Sequence, residues 1–204
     1  MIKQIQFNTK LSVSKYRRLV KEKPWLGKWD EVSLKDIKDD IKAQLISNQD
    51  CCAYCGLPFK GNKDKQIEHI APKAKYRYPQ FTFTLENLVL SCMYCNDLIV
   101  KGTKDTIIAP SSNQYRKCDF SIVHPYFDNP EDHYDWTDNT IEVLIQVKNN
   151  SLKALNSIKM FDLDSQFMSE LRGAITIRKR LKNEMPLTND DEILITKVLN
   201  YKTI

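Results

Sequence analysis

Apolar residues recur at helical spacing near both ends of the chain and fall into short runs in between. Leu34, Ile37, Ile41 and Leu45 repeat every three to four positions behind Ser33-Leu34-Lys35-Asp36, a capping-box pattern, and Asn48-Gln49-Asp50 stops the run. An earlier helix is predicted over 14–23, ended by Pro24, with Trp25 and Trp29 as packing anchors. From Cys51 to Gly102 the elements shorten. A Cys-x-x-Cys-Gly turn and a polar loop over 61–65 lead into a strand over 66–70, then a loop rich in Lys and Tyr. Leu88-Val89-Leu90 gives a second strand, and a helix is predicted from Asn96 to Val100. Further on, 124–133 is a turn-rich link, 140–147 reads as a strand, and helices are predicted over 151–160, 165–182 and 188–201. The middle one places Phe167, Leu171, Ala174, Ile175 and Leu181 on one face, with Arg172, Arg178, Lys179 and Lys182 largely on others. The last opens on a second capping pattern, Thr188-Asn189-Asp190-Asp191. The expected class is α+β: a helical segment (1–50), a small core (51–110) and a mostly helical portion with one strand (111–204).

Composition changes this picture little. A chain of 204 residues with 42% hydrophobic residues has enough apolar material for one or two cores, so disorder is not expected. Charge matters through its placement. The net charge is +5, and Lys60, Lys63, Lys65, Lys73, Lys75 and Arg77 cluster against only Asp64 and Glu68, whereas residues 118–147 hold seven carboxylates and no Lys or Arg. The basic stretch is a candidate nucleic-acid surface; a solvated loop is the bland alternative. With no apolar leader or membrane-length window in view, a soluble cytoplasmic protein with no membrane partner is expected.

The six cysteines carry more information. Four fall in two Cys-x-x-Cys pairs, Cys52/Cys55 and Cys92/Cys95, separated by residues 56–91, long enough for a hairpin to return. Each pair turns two sulfurs toward one point, and four thiolates suit a structural Zn²⁺ whose closed coordination sphere leaves no room for catalysis. Two such motifs without a βαβ pattern argue against a redox pair. Cys51 is an alternative ligand to Cys52, and Cys118 reads as a reduced, part-buried residue.

Between the pairs lies Glu68-His69, at the end of the predicted strand and just ahead of Pro72. A carboxylate suits a hard divalent cation, and a neutral imidazole can take a proton from water. Adjacent strand residues point to opposite faces, but at the end of a short strand, where the chain breaks at Pro72, both side chains are expected to reach one cleft. Asn96 follows a candidate zinc ligand directly, and its amide oxygen suits Mg²⁺, although Asn is also a favoured helix N-cap. Asn87 is placed to fix the inter-strand loop through backbone hydrogen bonds.

Cys52-Ala53-Tyr54-Cys55-Gly56, Ile67-Glu68-His69-Ile70-Ala71-Pro72-Lys73, Glu86-Asn87-Leu88 and Cys92-Met93-Tyr94-Cys95-Asn96 together resemble an HNH endonuclease of the zinc-stabilised, treble-clef-like ββα-metal type. The resemblance implies hydrolysis of nucleic-acid phosphodiesters, DNA in preference to RNA. It makes Glu68 a ligand of Mg²⁺ or Mn²⁺, His69 the general base, Asn87 structural and Asn96 the residue that completes the metal site. Many relatives read Cys-Asn-x-x-Lys-Gly where this chain runs from Cys95-Asn96 to Lys101-Gly102 with two extra residues, which weakens a phosphate role for Lys101. A looser resemblance, through the same motifs and through His124-Pro125-Tyr126-Phe127-Asp128 with Asp132-His133, is to the PtuB-like nucleases of Septu-type and retron-associated antiviral systems. It implies an ATPase partner, docked on the C-terminal portion. The competing reading is a zinc-knuckle module that binds nucleic acid or protein without cutting.

Overall fold

Two small sheets and five α-helices account for the regular structure of the computed structural model, which describes residues 2–22, 29–74, 76–108, 114–137, 143–182 and 188–199. Trp25, Lys75 and the first part of the 140–147 strand lie outside these residues. The architecture is α+β, with helices around a two-stranded hairpin and a four-cysteine cluster, consistent with a zinc-stabilised ββα-metal core. Among the described residues, no helix is long and apolar enough to cross a membrane.

The hairpin is formed by β1 (Gln66–His69) and β2 (Leu88–Ser91), antiparallel with Glu68 opposite Val89 and His69 opposite Leu88. Alternation sends the two sides of this ribbon to different cores. Leu88 and Leu90 pack with Leu34, Ile37, Ile41 and Leu45 of the α2 region, whereas Val89 joins the larger core around the cysteines. Helix α2 (Lys35–Asn48) thus roofs one face of the hairpin, and α1 (Val13–Glu22) reaches the same cluster through Leu19. Gln49, just past α2, acts as a short extra strand: its Oε1 accepts from Leu90 N at 2.9 Å and its Nε2 donates to Cys51 O at 2.8 Å. A buried amide serves here because it satisfies an edge-strand carbonyl and N–H together.

Three local expectations fail for identifiable reasons. Ser33 does not cap α2; it lies in a 3₁₀ turn with its hydroxyl on Glu31, and Leu34 takes the cap position without a side-chain bond. Residues 93–103 form consecutive turns where a helix was expected. The Asp97 carboxylate accepts from Ile99 N at 2.8 Å and Gly102 N donates to Asp97 O at 3.0 Å, so local side-chain bonding and the left-handed Gly102 (φ 44°) replace the helical ladder. A Cβ at Gly102 would run into the Leu98 carbonyl, which is why glycine closes this loop. The third failure is the buried face of α4 (Gln166–Lys182): Met168 and Arg172 are buried while Phe167 and Ala174 are exposed. Thr188 and Asp191, by contrast, do cap α5 (Asn189–Leu199), the threonine N–H meeting the Asp191 carboxylate at 2.7 Å.

β3 (Tyr134–Trp136) and β4 (Ile145–Val147) pair antiparallel, and α3 (Leu152–Phe161) follows, capped by Ser151. This part is tied to the rest through buried polar groups. Tyr126 donates its hydroxyl to Leu88 O at 2.6 Å, and His124 is fully buried. The His124 Nδ1 accepts from the Tyr126 and Phe127 N–H groups at 3.2 and 3.3 Å, so the proton sits on Nε2, which faces Tyr115 Oη at 2.9 Å. His133 meets Ser151 Oγ at 2.7 Å, and Asp128 binds Lys153 at 2.7 Å. These contacts make both histidines parts of the C-terminal framework.

Burial, aided by the nearby Lys153 charge and opposed by Asp128, holds His124 down to about 3, so it is neutral in the fold and protonated only on unfolding between that pH and about 6.5. The unfolded chain then binds the extra proton, and stability falls as pH drops through that window, by about 1.4 kcal/mol per pH unit for one such group. In melting curves taken at pH 7, 6 and 5, His124→Asn is expected to show a shallower loss of Tm than the parent. Parallel curves would contradict the assignment.

Candidate active site and zinc clamp

Cys52, Cys55, Cys92 and Cys95 bring their Sγ atoms within 4.8 Å of one another, and they are the one such metal-ligand cluster of His, Cys, Asp and Glu among the described residues. Cys55 and Cys92 Sγ lie 3.9 Å apart, close to the edge of about 3.8 Å expected for a tetrahedron with Zn–S bonds of about 2.3 Å. The Cys95 N–H also points at Cys92 Sγ, 3.5 Å away. Burial opposes ionisation of Cys52, but hydrogen bonds from the other three sulfurs outweigh it and hold its thiol well below the usual range; the same crowding pushes Cys95 up. Such a set shares protons among its sulfurs until a dication displaces them, which is the behaviour of a zinc site. Cys51 stands outside the cluster, paired through its backbone with Pro58, and burial raises its thiol to about 11.

A positive charge sits against this cluster from an unexpected direction. Arg172 of α4 is 0% exposed, donates to Val143 O at 3.1 Å and Leu163 O at 2.7 Å, and lies over the Trp136 ring. Burial lowers its pKa to about 10, and the charges of Cys55 and Cys95 lead the effects that oppose the shift. The helical periodicity of 166–182 gave no hint of this, because an arginine on an apolar face reads as an exception to the pattern rather than as a counter-charge.

Contrary to the expectation of one cleft, β1 delivers Glu68 and His69 to opposite sides of the ribbon, because the ladder continues through His69, opposite Leu88. Glu68, 8% exposed, shares its side with Gln66, and its Oε1 lies 2.9 Å from Lys101 Nζ. Burial pushes the Glu68 carboxyl above its usual range, with the Lys101 charge the strongest opposing effect. His69, 5% exposed, lies on the α2 side with its ring edge-on to Trp29 at 4.6 Å. The two residues are linked by shared neighbours, since Lys73 and Lys101 act electrostatically on both.

His69 Nε2 is 3.0 Å from Thr82 O. A carbonyl can only accept, so the neutral ring carries its proton on Nε2 and keeps the Nδ1 lone pair free. Burial and the Lys73 charge together hold His69 down to about 3, which keeps that lone pair available at neutral pH. Asn96 donates its Nδ2 to Gln66 Oε1 at 2.6 Å, and its own Oδ1 takes no hydrogen bond from the described residues.

Asn87 is fully buried and makes three bonds: Oδ1 accepts from Ala71 N at 2.7 Å, and Nδ2 donates to Ala71 O and Phe81 O, each at 3.0 Å. It staples the chain leaving β1 to the loop that carries Thr82. Asn87→Ala strands these buried backbone groups and is expected to cost about 2–4 kcal/mol, read as a lower Tm with zinc retained. A loss below about 0.5 kcal/mol would show that the staple is dispensable.

The basic residues are less uniform than their clustering implied. Lys60, Lys63 and Arg77 are exposed, and Arg77 is ion-paired with Asp105 at 3.1 Å. Lys65 is part-buried with its ammonium over the Phe59 ring, and Lys73 is half-buried beside Glu68 and His69. Sequence reasoning missed the importance of Lys101, which is 0% exposed and also donates to His69 O at 3.1 Å. Its full burial removes it from any surface that a nucleic acid touches.

Residues 52–100 match the HNH endonuclease family. The matched span takes in both cysteine pairs, Glu68, His69, Asn87 and Asn96. An HNH domain implies a nuclease-type, metal-dependent function and a nucleic-acid substrate. No curated protein matches the chain.

For the hydrolytic cation that HNH chemistry uses, the donor set offered here is one carboxylate and one amide. That is a sparse set, and it fits Mg²⁺, which keeps several waters and takes one or two carboxylates plus substrate phosphate. Glu68 and Asn96 would hold the ion, and it would supply charge stabilisation at the scissile phosphate.

Proposed function

We propose that this protein is a metal-dependent endonuclease that hydrolyses phosphodiester bonds, with DNA as the preferred substrate. Glu68 and Asn96 hold Mg²⁺ or Mn²⁺, and His69 Nδ1 removes the proton from the attacking water, leaving 5′-phosphate products. The observation that carries this reading is the His69–Thr82 bond, which fixes the tautomer a general base needs. Asn87 supports it by holding the loop on which Thr82 lies, and the tetrathiolate clamp by fixing the backbone next to Asn96. Lys60, Lys63, Lys65, Lys73, Lys75 and Arg77 provide the backbone-binding surface. The motifs shared with PtuB-like proteins favour a role as the nuclease of a bacterial antiviral system, acting in the cytoplasm with an ATPase docked on 111–204. The test is incubation of zinc-loaded protein with plasmid, oligonucleotides and tRNA, in Mg²⁺ or Mn²⁺ against chelator. Metal-dependent nicking of plasmid supports the proposal, and intact substrates under every condition would refute it.

One observation favours a second reading, a non-catalytic zinc-knuckle binding module: the Glu68 carboxylate is already matched by the buried Lys101. That reading predicts nucleic-acid or protein binding that is indifferent to Mg²⁺. The same incubations, read by gel shift as well as by cleavage, separate the two.

A further inference from the structure

The Lys101 ammonium is the most unusual charge near the candidate site. It is fully buried, reached from the turns that follow Cys95, and two of its three donors are spent on Glu68 Oε1 at 2.9 Å and His69 O at 3.1 Å. A buried ammonium without an anion costs several kcal/mol, and so does a buried carboxylate without a cation. Each therefore holds the other in place. The second bond, to the carbonyl of His69, ties the same ammonium to the end of β1, so it cannot swing away without freeing both the carboxylate and that backbone group.

The charge count at the site follows. Glu68 contributes one negative charge, Lys101 cancels it, Lys73 beside them adds a positive charge, and Asn96 brings none. Among the described residues, Glu68 belongs to no converging group of three or more His, Cys, Asp or Glu. A hydrated divalent cation arriving alone meets no net attraction, and a lysine ammonium close to its ligand repels it. A phosphodiester brings the missing negative charge and oxygen ligands of its own.

We propose that Lys101 is a positioning residue that cancels the charge of Glu68, so that the divalent cation binds appreciably only together with a nucleic-acid phosphate. This rests on Glu68 being a ligand of that cation. The device makes loading substrate-dependent: free protein stays largely without the hydrolytic metal, and metal and nucleic acid each raise the other's affinity by the same factor, as linkage requires.

The experiment is a titration of zinc-loaded protein with Mn²⁺, free Mn²⁺ being read by electron paramagnetic resonance, with and without a short oligonucleotide carrying non-hydrolysable phosphate linkages. The parent is expected to bind Mn²⁺ at least about ten-fold more tightly with the oligonucleotide. Lys101→Met is expected to bind Mn²⁺ at least about ten-fold more tightly than the parent when no oligonucleotide is present. Lys101→Arg, which keeps the charge, is expected to stay near the parent. Equal affinity of parent and Lys101→Met, or tightening by Lys101→Arg as well, overturns the proposal. If both Lys101 variants lose zinc, the parent alone decides, since equal Mn²⁺ affinity with and without oligonucleotide also overturns it. Glu68→Gln separates the two levels: no change in oligonucleotide-dependent Mn²⁺ affinity refutes Glu68 as ligand, whereas a loss there with an unaltered Lys101→Met refutes only the role of Lys101.

Discussion

His69→Ala is expected to lower the rate of phosphodiester cleavage by about 10²–10⁴ while leaving zinc content and circular dichroism unchanged. The size follows from removing the only imidazole among the described residues whose tautomer is set by a carbonyl, at Thr82 O, with the opposite nitrogen left as a lone pair. Its neighbours limit the structural side effects. The ring is edge-on to Trp29, so alanine leaves a gap on the α2 side, and a modest loss of Tm is expected beside the loss of rate. His69→Gln fills more of that gap and is expected to recover Tm without recovering cleavage. Because burial keeps His69 unprotonated down to about 3, no acid limb from this residue is expected near pH 6.5 in the rate profile. Single-turnover rates on nicked-plasmid gels check the rate statements, and melting curves check those on Tm. A His69→Ala rate within two- to three-fold of the parent would remove His69 from the mechanism.

The largest structural effect is expected from the clamp. Structural zinc contributes about 10–16 kcal/mol of apparent binding free energy, against a typical domain stability of about 5–15 kcal/mol. Cys95→Ser, or prolonged chelation, is therefore expected to unfold the hairpin module rather than loosen it. The clamp residues Cys52, Ala53, Tyr54, Cys55 and Cys95 are themselves part of the larger hydrophobic cluster, so the loss spreads beyond the metal. The readout is near-ultraviolet circular dichroism with zinc released to a chromogenic chelator. Cys51→Ser serves as the control and should leave both signals intact, since Cys51 lies outside the tetrad. A Cys95→Ser protein that melts within a few degrees of the parent would show that the core holds without its metal.

How far the sequence reached can be judged residue by residue. The cysteine pairing was legible because Cys-x-x-Cys is a local geometry, and the hairpin between the pairs was legible from two apolar runs and their turns. Helix existence along the flanks was legible from periodicity. The turn run after Cys95 was not, since Asp97 and Gly102 override helix propensity through contacts that no periodicity encodes. Lys101 and Arg172 share a deeper reason for being missed. Both are buried cations whose partners come from distant parts of the chain, Glu68 for one and the Val143 and Leu163 carbonyls with the Trp136 ring for the other. Patterning assigns such residues to the surface, and only the tertiary fold reveals the partner. The separation of Glu68 from His69 across the ribbon follows from strand alternation, which the break at Pro72 comes too late to override. The lysines that connect them were not legible.

Arg172 also ties α4 to the clamp. Its guanidinium is buried against the Val143 and Leu163 carbonyls and over the Trp136 ring, and charge on Cys55 and Cys95 favours its charged form. Loss of the metal is therefore expected to loosen α4 along with the hairpin, so that limited proteolysis cuts the chelated protein within 166–182 sooner than the zinc-loaded one.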